Sequence, residues 1–152
     1  MRAGTHVVFA FLAGLLALFV WQPSLHMIIF FALLSFFALL PDIDYAKSTI
    51  GRHAKLVGFF VGHRGIFHSL FALAGFGILA YVIGKVYVFP VVLGYASHLL
   101  LDSLNTAGIV PFHPFGKKIR GPIKIGSLGE ILLFVVFLCL ASFLVLLRYG
   151  SG

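Results

Sequence analysis

His98 and Asp102 stand four residues apart, a spacing that turns both side chains to one face of a helix. Asp42-Ile43-Asp44 offers two carboxylates on one turn, His63 and His68 bracket the start of an apolar stretch, and His6 lies near the start of another. Together these are seven N and O donors from four chain segments. A closed structural zinc needs only four ligands, so the surplus suits two ions, or one ion whose ligands are held by a second ring of polar groups. Imidazole and carboxylate without thiolate favour zinc, then manganese or iron, over magnesium or copper(I). Cys139 is the single cysteine and supplies neither a disulfide nor a thiolate pair. The expected chemistry is metal-assisted hydrolysis, with one ion acidifying a water and a second holding the leaving oxygen. His6, Asp42, Asp44, His68, His98 and Asp102 are the expected ligands, and His63 is either a further ligand or the proton shuttle. Arg64 is placed to clamp an anion, with Lys55 and Arg120 as further phosphate-binding cations, which makes a phosphoester the natural substrate class.

The elements that carry these residues follow from composition. Of 152 residues, 61% are hydrophobic and 10% charged, whereas a soluble domain carries about a quarter charged residues. Residues 3–41, 65–84, 86–101 and 131–147 contain no Asp, Glu, Lys or Arg, and runs of roughly 17 to 25 residues are what a hydrocarbon core asks of a spanning helix. The expected fold is all-α, a polytopic integral membrane helix bundle in one domain over 1–152. Its spans are expected at about 6–21, 25–40, 65–83, 88–104 and 127–147, with long loops at 41–64 and 105–126. Ser24 is expected to cap the second helix, Pro41 to stop it, and Gly84-Lys85 to turn the chain. The N-terminal stretch is expected to be a mature helix rather than a signal peptide, since no small-x-small cleavage site precedes Trp21.

Counting cations by side gives the orientation. With a cytoplasmic N-terminus, nine of the eleven Lys and Arg lie inside and only Lys85 and Arg148 outside. The net charge of +7 therefore reads as topology plus attraction to anionic membrane lipid, and no direct nucleic-acid binding is expected. Six of the seven histidines and all four acids fall on this same cytoplasmic face. Taken singly, Asp42 reads as a turn residue, His68 as a core histidine and Glu130 as half of a capping box with Ser127. His26 reads as an interfacial residue on the far side and His113 as a loop residue. Independent structural roles would not sort to one face, and ionisable groups at membrane depth are costly.

The motifs also come in a familiar order: Thr5-His6, then Leu40-Pro41-Asp42-Ile43-Asp44 with Lys47-Ser48, then Gly62-His63-Arg64-Gly65-x-x-His68-Ser69. Gly94-Tyr95-x-Ser97-His98-x3-Asp102 follows, with Thr106-x-Gly108 and Pro114-Phe115 behind it. From His6 to about Arg120 the chain resembles the YdjM-like family of small membrane-bound metal-dependent hydrolases, some bacterial members of which are described as LexA-binding inner-membrane proteins. The resemblance implies a polytopic protein of the inner membrane with a metal site built from His6, Asp42, Asp44, His63, His68, His98 and Asp102. The chain departs from the pattern at Phe67, where a hydroxyl residue is expected, and at His113, where an apolar one is.

Two rivals stay open. A non-catalytic membrane anchor or regulator would capture a partner through the basic loops and keep any metal as structure. A metal transporter would place polar groups near the bilayer midplane, yet the outer halves of all five expected spans are bare of charge.

Overall fold

In a hydrocarbon setting every backbone N–H and C=O has to be satisfied within the chain, and a helix does this without a partner segment. A computed structural model describes residues 1–44 and 65–150, apart from the side chains of Ile43, Asp44 and Tyr149. It shows five helices: α1 (Ala3–Val20), α2 (Met27–Leu39), α3 (Leu70–Ile83), α4 (Lys85–Ser103) and α5 (Leu128–Tyr149). Among the described residues there is no strand, only the isolated bridges Asn105–Ile123 and Ile109–Ile119. The chain is an all-helical membrane protein. α1, α4 and α5 are each long and apolar enough to cross a bilayer, while α2 and α3, at 13 and 14 residues, are shorter.

The helix ends differ from expectation in three places. The N-cap of α2 is His26, not Ser24, and its Nδ1 accepts a hydrogen bond from the Ile28 N–H at 3.4 Å. Gly84 alone separates α3 from α4, and Lys85 is the first residue of α4 rather than part of a turn. The third apolar stretch opens with a 3-10 turn, Ile66–His68, before α3 starts at Leu70. Ser69 caps α3, accepting from the Ala72 N–H at 3.3 Å. Pro41 does end the α-helical geometry of α2, but the chain continues through it as the 3-10 turn Leu40–Asp44.

α4 is the central helix, packed against α2, α3 and α1, and α5 lies outside against α1. The tightest approach between two helices is at Gly94, where a Cβ would sit 2.3 Å from the Leu34 carbonyl oxygen. Only a residue without a side chain lets α2 and α4 meet this closely. Leu40, Tyr95, Leu99 and Ile109 form one buried apolar cluster beside this contact, and Ala10, Leu34 and Ala38 another. At the opposite end Arg148 closes the bundle by donating to the Leu18 carbonyl at 2.9 Å, an example of a cation satisfying the last carbonyls of a helix.

Candidate metal centre

Four segments deliver five ionisable side chains to one point at the end of the bundle. α1 brings His6 from its first turn, the 3-10 turn after α2 brings Asp42, the 3-10 turn before α3 brings His68, and the last turns of α4 bring His98 and Asp102. His6, His68, His98 and Asp102 are at most 1% exposed and Asp42 is 19% exposed. Two overlapping ligand groups share His98: His6 with His98 and Asp102, and Asp42 with His68 and His98.

The separations bear on what this cluster is. His98 Nε2 lies 3.4 Å from His68 Nε2, 3.8 Å from Asp42 Oδ1 and 3.9 Å from Asp102 Oδ2. His68 Nε2 lies 3.6 Å from Asp42 Oδ1 and 3.7 Å from Asp102 Oδ2, and His6 Nε2 lies 3.5 Å from Asp102 Oδ1. These exceed the usual N–H···O range of about 2.7–3.2 Å. They are close to the separation of neighbouring ligands around a tetrahedral zinc, about 3.4 Å for bonds of about 2.0–2.1 Å.

Two further observations, at His98 and His6, fit a cation. Nδ1 of His98 is 2.7 Å from the Ala38 carbonyl oxygen, so the proton sits there and the Nε2 lone pair is left facing the cluster, the usual support of a ligating imidazole. His6 stacks on His98 with ring centroids 4.0 Å apart, and neither of its ring nitrogens makes a hydrogen bond within the described residues. The α-ammonium of Met1 donates to Asp102 Oδ1 at 2.7 Å, so one oxygen of this carboxylate already has a positive partner. Burial pushes the Asp42 carboxyl up. Its hydrogen bond with His68 and the charges of His98, His6 and His68 more than offset this, and the group is held below its ordinary value. It is thus a carboxylate at neutral pH, as a metal ligand must be.

The motif around His98 has a local explanation. Gly94, one turn before His98, sets the α2–α4 approach that brings the Ala38 carbonyl to the imidazole. Tyr95, fully buried, donates its hydroxyl to the Phe67 carbonyl and so pins the turn that carries His68. Ser97 donates to the Gly94 carbonyl at 2.7 Å. Phe67, which lacks the expected hydroxyl, contributes through its main chain instead.

Of the ligands expected from sequence, His6, Asp42, His68, His98 and Asp102 come together. The side chain of Asp44 lies outside the described set, as do Lys55, His63 and Arg64. Arg120 is exposed on the segment between α4 and α5. His113 sits half-buried on the same segment, and His26 is occupied at its cap.

Glu130 goes further than a capping box. Ser127 Oγ accepts from the Glu130 N–H at 3.4 Å, but the carboxylate accepts from Gly126 N–H at 2.6 Å, from Arg2 N–H and from Thr5 Oγ1 at 3.3 Å. It ties the start of α5 to the start of α1.

Sequence reasoning passed over Asn105. It is fully buried, its Oδ1 accepts from Ala107 N–H at 3.1 Å, and its Nδ2 has no partner among the described residues. Its place three residues after Asp102 was the available signal.

The comparisons with known proteins agree with a membrane-embedded chain. The profile of the YdjM inner membrane protein family matches residues 1–151. The inner membrane protein YdjM of Escherichia coli K12 is 39% identical over 118 residues, covering 69% of this chain and 58% of that protein, and its Shigella flexneri counterpart gives the same figures. YvsG of Bacillus subtilis, an uncharacterized protein, is 39% identical over 101 residues, or 61% of this chain and 63% of its own. The chain thus spans somewhat under two thirds of the curated relatives it matches. No solved structure matches it.

Proposed function

The chain belongs to the YdjM inner membrane protein family, and on that premise we propose that it is a membrane-bound hydrolase using one or two divalent ions, zinc foremost, to cleave a phosphoester. The observation that carries this reading is the gathering of three buried imidazoles, one buried carboxylate and one half-buried carboxylate at the end of the bundle. Ionisable groups are costly to bury unless partners of opposite charge offset that cost, and a divalent ion would add positive charge beside both carboxylates while taking up the imidazole nitrogens turned toward them. Such an ion supplies Lewis acidity toward a water molecule and a phosphoryl oxygen.

The residues do the rest. His98, steadied by Ala38, presents Nε2, and His6, His68 and Asp102 close the inner side. Asp42 is the partly exposed member, so substrate would approach past it. Arg120, together with Lys55 and Arg64, would meet the phosphate oxygens, and His63 would carry the proton. The Asn105 Nδ2, without a partner among the described residues, is a neutral donor suited to a substrate oxygen. In this reading the site faces the cytoplasm, as the distribution of cations favours, and a lipid phosphate is the substrate nearest to hand.

The test is turnover by purified protein loaded with zinc or manganese, on a panel of soluble and lipid phosphoesters, beside Asp42→Ala. Metal-dependent hydrolysis lost in the variant is expected. Protein that holds metal and cleaves nothing in the panel would sink the hydrolase reading.

One observation favours the second reading, a membrane anchor or regulator with a structural ion. Four of the five gathered side chains are sealed from solvent, and structural sites are closed where catalytic ones keep an open position.

A further inference from the structure

The segment joining α4 to α5 is folded on itself. Thr106 N–H donates to the Ile123 carbonyl at 2.9 Å, and Ile109 and Ile119 exchange N–H···O bonds at 3.0 and 2.8 Å. Leu70 N–H reaches the Pro111 carbonyl at 2.7 Å, fastening the segment to α3. Gly121 lies so close to Leu104 that a Cβ would meet its carbonyl oxygen at 2.2 Å. The side chains this fold leaves outside are therefore presented by a built framework.

Those side chains are an unusual mixture. Phe115 is 73% exposed and Phe112 54%, with Ile119 and Ile125 also out. Lys117, Lys118, Arg120 and Lys124 are interleaved with them and are all exposed, while residues 105–126 contain no Asp or Glu. Apolar side chains held out in this number mark a surface that meets something other than water. Connectivity says where that surface lies, because the segment runs from the end of α4 to the start of α5, two helices long and apolar enough to cross a bilayer.

We propose that this segment is a lipid-binding surface lying in the headgroup layer of the membrane its flanking helices cross. Its Phe and Ile side chains enter the boundary with the acyl chains and its four cations engage anionic lipid phosphates. Amphipathic surface elements are built this way, with cations snorkelling to the phosphates from residues whose neighbours are buried. A bilayer is the occupant that the charge fits: four positive groups with no acid among them match a uniformly negative surface, and the membrane adjoins both ends of the segment. Arg120 aside, which the proposed hydrolase would also use on its substrate, the proposal is independent of whether the metal centre is catalytic.

The full chain is reconstituted into nanodiscs of zwitterionic lipid alone or with anionic lipid, using Phe115→Trp in a Trp21→Phe background. The Trp emission is expected to shift to the blue and to be quenched by brominated acyl chains in anionic discs. Both effects should weaken in zwitterionic discs, at salt high enough to cut the screening length to about 3 Å, and in a variant with Lys117, Lys118, Arg120 and Lys124 all changed to Gln. Hydrogen exchange of the unsubstituted chain over residues 112–120, slower in anionic than in zwitterionic discs, checks the same contact without a probe. A Trp that stays in water in every disc overturns the proposal. So does protection that ignores lipid charge but rises with the number of chains per disc, which would assign the surface to a second copy.

Discussion

At one end of the bundle Glu130 and Asp102 are both all but sealed from water, at 2% and 1% exposure, yet their surroundings differ in kind. Glu130 is met by two backbone N–H groups and a hydroxyl, all belonging to the starts of α1 and α5. Its charge is spent on unsatisfied helix-end donors, which is architecture. Asp102 accepts from the Met1 α-ammonium at 2.7 Å but also faces the Nε2 atoms of His6, His68 and His98 at 3.5–3.9 Å, with a second carboxylate, Asp42, beside His68 and His98. Those imidazole nitrogens are not needed by any helix end. The contrast teaches that burial of an acid is no sign of function by itself. What separates the two is whether its partners have another reason to be there.

Isosteric changes at the two acids should break the comparison apart most clearly. Asp102→Asn keeps the shape and removes the charge. Its metal affinity, read by competition with a chelator, should fall by more than the roughly 10–100-fold that loss of an outer supporting group costs, a larger effect than the stability lost with the Met1 ion pair. Glu130→Gln should do the reverse. With an NH2 turned toward buried N–H donors, it should cost about 2–3 kcal/mol of stability and leave the metal content of the folded fraction unchanged. Metal lost equally in both variants would mean that the two acids belong to one system.

Smaller changes sharpen the boundary between holding the fold and holding the site. Gly94→Ala sets a methyl against the Leu34 carbonyl, at an expected cost of about 1–3 kcal/mol. It also moves the carbonyl of Ala38 relative to His98, so metal affinity should drop about tenfold. Tyr95→Phe removes only the hydroxyl that pins the His68 turn, and should cost about 1 kcal/mol with a lesser loss of affinity. If Tyr95→Phe lowered stability without touching the metal, the turn would not be positioning His68.

Much of this was legible in the residues themselves. Charge-free runs marked the helices, since a membrane leaves the backbone few alternatives, and His98-x3-Asp102 announced a shared helix face. The joining of Asp42 and His68 to that pair required knowing that α2 and α3 both pack on α4, which Gly94 and Tyr95 reveal only once the helices are in place. Glu130 was half legible: its spacing from Ser127 signals a cap, but its reach to Arg2 and Thr5 crosses between helices distant in sequence. His26 takes the cap in place of Ser24 because α2 begins at Met27, two residues later than the apolar run suggests, which leaves Ser24 outside the cap position. The folding of residues 105–126 rests on backbone hydrogen bonds, which leave no periodic trace in side-chain type.

The central claim, that the cluster of His6, Asp42, His68, His98 and Asp102 is a metal centre, is tested most directly by metal content per chain. Mass spectrometry of detergent-purified protein beside His98→Ala should find about one or two equivalents of zinc, manganese or iron in the unsubstituted chain, as the one or two ligand groups allow, and none in the variant. No bound metal in the unsubstituted chain, even after reconstitution, or the same content in both proteins, would contradict it.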